Sequence, residues 1–392
     1  MTEQPLKFVI ASGGTGGHIS PVIAVLNTLR ERYVVDATWI GGTWGIEREA
    51  AARAGVPFVA IQSGKLRRYL SWQTPIDGVR LPLGYAQAYR HLKQIRPAVV
   101  FSTGGYVAVP TALAAARLGI PVLTHEQTAQ LGLATRIIVR SATVLALSFP
   151  LPEAKEYSGK LRVIVTGNPV RALLFGGDAA RGAAHFGLTT EMPTIYVTGG
   201  ARGSSPVNER IERALPLLLG TMQIVHATGP TVVNGDYPRL RAVRAGLTDE
   251  WRARYVVVET LGDELRDVYA LAALVVGRSG AGTVAELAAL GKPSILVPLP
   301  GTGGDEATKN ARVLSDAGAA VLIPQTEATP ELIAFYVIAL LNDHARRARM
   351  SDAARSLAPL NAADKIVDAL LDLVQPHEAY DPMAAGSGNG GL

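Results

Sequence analysis

Four glycine-rich turns, each at the point where a short apolar run gives way to a helical pattern, constrain this chain most. They read Ser12-Gly13-Gly14-Thr15-Gly16-Gly17-His18, Thr103-Gly104-Gly105-Tyr106, Thr198-Gly199-Gly200-Ala201-Arg202-Gly203-Ser204 and Arg278-Ser279-Gly280-Ala281-Gly282-Thr283. Two fall in each half of the chain. Glycine lets a backbone approach a ligand closely, and the first turn of a helix carries unpaired N–H groups with a partial positive charge. Such turns suit phosphate or another anion. They predict two α/β halves that face each other and grip an activated, phosphate-bearing substrate.

The pattern between the turns agrees. Short apolar runs alternate with amphipathic stretches, as in a parallel sheet covered by helices on both faces. Strands are expected at 8–11, 37–40, 99–101, 122–124 and 143–146 in the first half. In the second they are expected at 194–197, 223–226, 255–258, 273–276 and 294–297. A helix is expected over 21–32, with Val22, Val25, Leu26 and Leu29 at helical spacing and Pro21 in its first turn. The turn-rich Gly167-Asn168-Pro169-Val170 marks the boundary between halves, and a last helix is expected at about 362–374.

A chain of 392 residues is long enough for two cores, and 48% hydrophobic with 18% charged residues fits a soluble α/β enzyme. The absence of cysteine removes disulfides, thiolate metal sites and cysteine nucleophiles together. The N-terminus lacks the layout of a signal peptide, and no apolar run reaches the ~18 residues of a membrane span, so a cytoplasmic location is expected. The formal charge of +5 is unevenly spread: Lys65, Arg67 and Arg68 are followed by Tyr69, Leu70, Trp72, Arg80, Leu81 and Leu83. That mixture suits either an anionic bilayer surface or a solvated loop with tucked aromatics. No nucleic-acid recognition motif accompanies it, so no nucleic-acid partner is expected.

Known nucleotide motifs fit poorly. Gly280-Ala281-Gly282-Thr283-Val284-Ala285 matches the dinucleotide pattern, yet Val297-Pro298-Leu299-Pro300 stands where an acidic ribose ligand is needed. No turn ends in the Gly-Lys-Ser/Thr of a P-loop. His18, directly after the first turn, either packs beside it or removes a proton from an attacking hydroxyl. Glu126, at a strand end with His125, is the competing base or the partner that orients a histidine; His125 itself reads as structural. Glu286, in a helix expected to open near Thr283, is either a dipole-favoured carboxylate or an acceptor for ribose hydroxyls. The histidines show no ligand spacing and no Asp-x-Asp motif occurs, so neither a metal nor another cofactor is expected.

At these residues the chain resembles the bacterial MurG family, the UDP-N-acetylglucosamine:undecaprenyl-pyrophosphoryl-N-acetylmuramoyl-pentapeptide N-acetylglucosamine transferases. The resemblance runs in order through Gly13–His18, Ser63-Gly64-Lys65-Leu66-Arg67-Arg68, Thr103-Gly104-Gly105-Tyr106-Val107, His125-Glu126-Gln127 and Gly167-Asn168-Pro169-Val170-Arg171. It continues through Arg278-Ser279-Gly280-Ala281 with Thr283 and Glu286 to Lys309-Asn310-Ala311. Each motif alone is weak; their order is specific.

The resemblance implies a GT-B fold, two doubly wound Rossmann-like domains facing a central cleft. It implies transfer of N-acetylglucosamine from UDP to the C4 hydroxyl of the muramoyl sugar of undecaprenyl-linked lipid I, giving lipid II with inversion. Thr15, Gly16 and Gly17 would approach the acceptor and the reacting diphosphate, and Arg171 the donor. Ala281, Gly282, Thr283, Val284, Ala285 and Glu286 would hold the nucleotide and its sugar, and Leu261 would meet uracil through its backbone. The acceptor would bring the enzyme to the cytoplasmic face of the cell membrane as a peripheral protein, through the basic and apolar stretch at 65–83. The expected division is an acceptor and membrane-associating unit over 1–167 and a UDP-sugar unit over 168–354. A helical stretch at about 355–375 packs back on the first unit, and a disordered tail covers 376–392.

The chain departs from the family in three places. Gly199-Gly200-Ala201-Arg202-Gly203-Ser204 replaces the usual Gly-Gly-Ser-Gln-Gly-Ala, so a hydroxyl near the diphosphate is lost at Ala201 while Arg202 brings charge. Thr128 follows His-Glu-Gln where asparagine is usual. A glutamine that reads the donor sugar falls at Glu306 or Ala307. These departures keep two alternatives open: a GT-B enzyme with another acceptor or a nucleotide-sugar epimerase, and an inactive sugar-nucleotide-binding protein.

Overall fold

Apolar runs joined by amphipathic helices bury their residues on both faces only in parallel sheets, and the chain builds two of them. The structure is a computed structural model that describes residues 5–13, 16–43, 45, 47–64, 74–157, 159, 161–359 and 361–374. Thr15, the basic stretch from Lys65 to Trp72 and the tail over 376–392 lie outside the described residues. The first sheet contains β1 (Leu6–Ala11), β2 (Val35–Gly42), β3 (Phe58–Ile61), β4 (Val99–Ser102), β5 (Val122–Glu126), β6 (Val144–Leu147) and β7 (Arg162–Val165). Its order is β3-β2-β1-β4-β5-β6-β7, parallel throughout. The second contains β8 (Thr194–Thr198), β9 (Gln223–Ala227), β10 (Tyr255–Val258), β11 (Ala272–Gly277), β12 (Ser294–Leu296) and β13 (Ala320–Leu322). Its order is β10-β9-β8-β11-β12-β13, also parallel.

The two-residue period of a strand divides each sheet into two cores. Phe8, Ile10, Trp39 and Phe101 face helix Gly16–Arg32 through Val25 and Leu29. Val9, Ile40 and Val100 face the other way, onto Leu92 of helix Thr74–Ile95 and Ala112 of helix Ala108–Arg117. In the second half Ile195, Val197, Leu274 and Val276 meet helices Ser205–Leu218 and Pro330–Asn342. Tyr196, Val275 and Leu296 meet helix Ala281–Leu290 through Val284 and Leu287.

Helix Ala362–Val374 follows the second sheet in sequence but buries Ile366, Val367 and Leu370 against the first. Ion pairs from Arg32 to Asp364 and Asp368, and from Arg162 to Asp372, line its exposed edge. Exposed pairs of this kind contribute little, whereas each fully buried aliphatic side chain contributes about 1.5–3 kcal/mol. Apolar burial therefore holds this helix on the first sheet.

Strand order, together with the turns, locates the functional crevices. After β1 the chain winds outward to β2 and β3, then returns to place β4 on the other side of β1. The second sheet does the same about β8 and β11. Helices leaving such neighbours go to opposite faces, and a crevice opens between them at the strand C-termini. The four glycine turns follow β1, β4, β8 and β11, so each half has both of its turns at its switch point.

The expected strands form, and three further ones, β3, β7 and β13, are all at sheet edges. All three are short and only partly buried, and β7 is exposed at both ends. The expected helix at 21–32 begins earlier, at Gly16, with Pro21 inside it. Proline has no N–H to return to the Gly17 carbonyl, so the helix loses one ladder bond in its second turn. Ile366→Ala should cost about 2–5 kcal/mol, read as a lower midpoint in denaturant titration; an unchanged midpoint would mean that helix Ala362–Val374 does not support the first core.

Candidate active site

At the first switch point the glycine turn is held from several sides. The Trp39 indole N–H donates to the Ser12 carbonyl at 3.0 Å, and the buried Glu47 carboxylate accepts from the Gly42 N–H at 3.1 Å while lying against Gly13. Opposite, Gly105 adopts φ +79°, and a Cβ there would stand 2.4 Å from the Gly13 carbonyl oxygen. Only glycine lets the turns after β1 and β4 approach this closely.

His18 sits where these two turns meet. Its Nδ1 lies 2.8 Å from the Thr103 carbonyl, and since a carbonyl only accepts, Nδ1 carries the proton and Nε2 keeps a lone pair. The same carbonyl accepts from Gln127 Nε2 at 2.7 Å, which fills both of its lone pairs. The Thr103 hydroxyl is 2.8 Å from the His18 carbonyl, so one residue fixes both the ring and the backbone of the histidine. The partner that orients His18 is thus a backbone carbonyl held by Gln127, not the expected Glu126.

Glu126 turns to its own loop. Its Oε1 accepts from the Thr128 hydroxyl at 2.8 Å and the Thr128 N–H at 3.2 Å, and its Oε2 from the Gly132 N–H at 2.9 Å. Thr128 is buried within this arrangement, and its hydroxyl also lies 2.7 Å from the Gln130 carbonyl. His125 is fully buried with Nε2 3.0 Å from the Gly167 carbonyl, and burial lowers its pKa to about 4. It stays neutral and joins β5 to the crossover between halves, as expected of a structural residue.

The loop shaped by Glu126 reaches the second half. The Ala129 N–H donates to Asn310 Oδ1 at 2.8 Å, Gln130 Nε2 to the Gly303 carbonyl at 2.6 Å, and Lys309 Nζ to Gln130 Oε1 at 2.7 Å. Helices Gly16–Arg32 and Ala281–Leu290, each running from a switch-point turn, are in contact. Gly16 and Gly17 open the first of them, so the crevices of both halves share one cleft.

In the second half the turns after β8 and β11 lie side by side. Arg278 N–H donates to the Thr198 carbonyl at 3.2 Å, and the Thr283 hydroxyl is 4.0 Å from where a Gly200 Cβ would stand. Ala201 and Arg202 are exposed at the tip of their turn. Helix Ala281–Leu290 starts two residues before the expected Thr283, with no side chain capping its N-terminus and open space before Gly280 and Gly282. Its first N–H groups therefore face the crevice with the positive end of the dipole. Val284 and Ala285 are buried in the core, which leaves only their backbone for a ligand.

Glu286, one turn further, is half-buried and accepts from the Tyr269 hydroxyl at 2.8 Å. Burial pushes its carboxyl above the usual range; the Tyr269 hydrogen bond and the charge of Arg171 act against that. Tyr269 stacks edge-on against Tyr196 with centroids 5.4 Å apart. Sequence reasoning missed Tyr269 because an isolated tyrosine in a helix reads as core, and only the fold brings it to Glu286. Leu261 follows the outer strand β10 and turns its side chain into the core. Of the two residues expected at the glutamine position, Ala307 is buried, its N–H taken by the Thr302 hydroxyl and its carbonyl by Ser279. Glu306 is half-buried in the first turn of helix Glu306–Asp316. Among the described residues no three His, Asp or Glu side chains cluster as a metal site, and no helix is long and apolar enough to cross a membrane.

Comparison with known proteins gives this geometry a family. Residues 8–146 match the glycosyltransferase family 28 N-terminal domain and residues 194–386 its C-terminal domain. The chain is 36% identical over 369 residues to a UDP-N-acetylglucosamine--N-acetylmuramyl-(pentapeptide) pyrophosphoryl-undecaprenol N-acetylglucosamine transferase of Desulforudis audaxviator, covering 93% of this chain and 97% of that one. The crystal structure of Acinetobacter baumannii MurG superimposes with a TM-score of 0.73 at 27% identity, over 94% of this chain and 100% of that one. A UDP-GlcNAc 2-epimerase from Neisseria meningitidis bound to UDP-GlcNAc reaches a TM-score of 0.66 at 16% identity, over 94% and 100%, a likeness of fold alone. Two doubly wound domains of the GT-B type, carrying the two family 28 domains in order, make this chain a member of the MurG family of glycosyltransferases.

Proposed function

We propose that the chain transfers N-acetylglucosamine from UDP-N-acetylglucosamine to the C4 hydroxyl of the muramoyl sugar of undecaprenyl-linked lipid I, forming lipid II with inversion. The observation that carries this reading is the similarity over 93% of the chain to a transferase of that name, joined to a histidine poised at the first switch point. We assign the acceptor to residues 1–167 and the donor to 168–354. The epimerase alternative rests on the shared fold alone, and no feature of the site favours it.

The chemistry is a single displacement. The acceptor oxygen bonds to the anomeric carbon while the bond from that carbon to the diphosphate oxygen breaks, and UDP leaves with the electron pair. His18 Nε2 takes the hydroxyl proton; its Nδ1–H stays on the Thr103 carbonyl, which stabilises the imidazolium as it forms. The N-terminus of helix Ala281–Leu290 and Arg171 meet the charge gathering on UDP, and the two halves fix both substrates in line. Glu286 accepts from the ribose, Leu261 offers its backbone to uracil, and Glu306 accepts from donor-sugar hydroxyls. Thr15, Gly16, Gly17 and Ala201 contribute backbone near the reacting groups. Glu126 and Thr128 shape the loop that spans the cleft rather than carry the proton.

The lipid acceptor calls for contact with an anionic membrane surface, and Lys65, Arg67 and Arg68 with their apolar neighbours supply the chemistry for it.

Three measurements test the reading. Incubation with UDP-N-acetylglucosamine and a lipid I analogue should give the transferred disaccharide; His18→Ala should lower turnover by roughly 10²–10⁴-fold with UDP affinity little changed, and unaltered turnover would remove His18 as the base. Tyr269→Phe should weaken UDP binding by about 3–10-fold and narrow its preference over 2′,3′-dideoxy-UDP, as expected when Glu286 loses its orienting donor; an unchanged preference detaches Glu286 from ribose. Replacing Lys65, Arg67 and Arg68 by Ser should release the protein from anionic vesicles, as should added salt; retention under both conditions contradicts electrostatic docking.

A further inference from the structure

Behind the turn proposed for the diphosphate lies a cation with no counter-charge among the described residues. Arg278, at the end of β11, is 7% exposed. Its guanidinium donates to Ser204 Oγ at 2.8 Å, to the Val297 and Pro298 carbonyls at 2.9 Å each, and to Gln325 Oε1 at 2.6 Å. All four acceptors are neutral, and no carboxylate pairs with it among the described residues. Arg210, close by, likewise donates to carbonyls only, those of Pro206, Gln325 and Ala328. Burial and Arg210 lower Arg278 to about 10, which leaves it charged at neutral pH.

A buried charge is costly unless an opposite charge meets it, and such a cation has its strongest interaction with an anion brought into the same low-dielectric region. Arg278 lies between two turns that present backbone to such an anion: it follows β11 directly and leads into Ser279–Thr283, and its Nε holds Ser204, the last residue of the other turn. Ser204 is buried and is the N-cap of helix Ser205–Leu218, but its side chain makes no capping bond and is held by Arg278 instead. An oxygen that accepts from a guanidinium has its own proton free to turn elsewhere, and its donor strength is raised by the adjacent charge. This hydroxyl stands three residues after Ala201, in the same turn.

We propose that Arg278, acting through Ser204 and through its uncompensated charge, is a positioning residue for the donor's diphosphate. The diphosphate supplies the counter-charge that the fold withholds, and Ser204 provides the turn with a hydroxyl that position 201 lacks. The inference rests on the donor-site reading above and adds to it a residue that need not touch the ligand.

The test is calorimetric titration of the full chain with UDP, UMP and uridine. Arg278→Gln retains polar reach without charge, Arg278→Lys retains charge without the guanidinium fork, and Ser204→Ala cuts the link to the turn. Arg278→Gln should weaken UDP by roughly 10–100-fold and UMP less, with uridine held within about twofold; Arg278→Lys should recover most of the loss. Ser204→Ala should weaken UDP about 3–10-fold and leave uridine unchanged. Equal losses for UDP and uridine, or Arg278→Lys behaving as Arg278→Gln, overturn the role of charge. Should Arg278→Gln fail to fold by circular dichroism, Ser204→Ala decides, and unaltered UDP affinity there overturns the proposal. A wild-type chain that binds no UDP overturns the donor-site reading itself, a separate failure.

Discussion

The reversal of strand order in each sheet is the constraint on which the rest of this structure depends. A parallel sheet wound in one direction would send every helix to one face and leave no opening at its strand ends. Because β4 returns to the far side of β1, and β11 to the far side of β8, the helices part and leave two crevices. Those crevices need backbone that approaches closely, which is why Gly105 faces the Gly13 carbonyl across a gap that no side chain fits. Once the two sheets are packed with helix Gly16–Arg32 against helix Ala281–Leu290, both crevices open to the same space.

The two switch points share a plan but differ in chemistry. The first presents an imidazole whose tautomer is set by a backbone carbonyl, and that carbonyl is held in turn by Gln127. A carbonyl partner sets the ring without bringing a formal negative charge beside the Nε2 lone pair. The second presents positive charge that does not move: helix N–H groups, Arg171 and the buried Arg278. In the proposed transfer the first would take up a proton beside the acceptor while the second holds fixed positive charge beside the leaving group, the division of labour that displacement from a nucleotide sugar needs.

Much of this was legible in the residues because the signals were local. Central strands such as β4 and β11 are largely buried and read as apolar runs, and glycine turns follow them. The edge strands β3, β7 and β13 are short and only partly buried. Side-chain partners were less legible, since they join residues distant in sequence: His18 with Thr103, Tyr269 with Glu286, Arg278 with Ser204. Glu126 shows the difficulty best. A carboxylate beside a histidine at a strand end has the chemistry of a base, and nothing local shows that its acceptors are filled by Thr128 and Gly132.

That use of Glu126 has a physical reason. The loop after β5 must leave the sheet, turn back and still present Ala129 and Gln130 to the opposite half. A buried loop of this shape strands N–H groups that water cannot reach, and each unpaired one costs about 1–3 kcal/mol. An ionised carboxylate accepts several such donors at once, more strongly than an amide does. The bonds from Thr128 and Gly132 hold the loop, and the loop then meets Gly303, Lys309 and Asn310. The same segment carries Gln127, which holds the carbonyl that orients His18. Glu126 therefore anchors the loop that meets the second half, and it adjoins in sequence the residue that holds the carbonyl orienting His18.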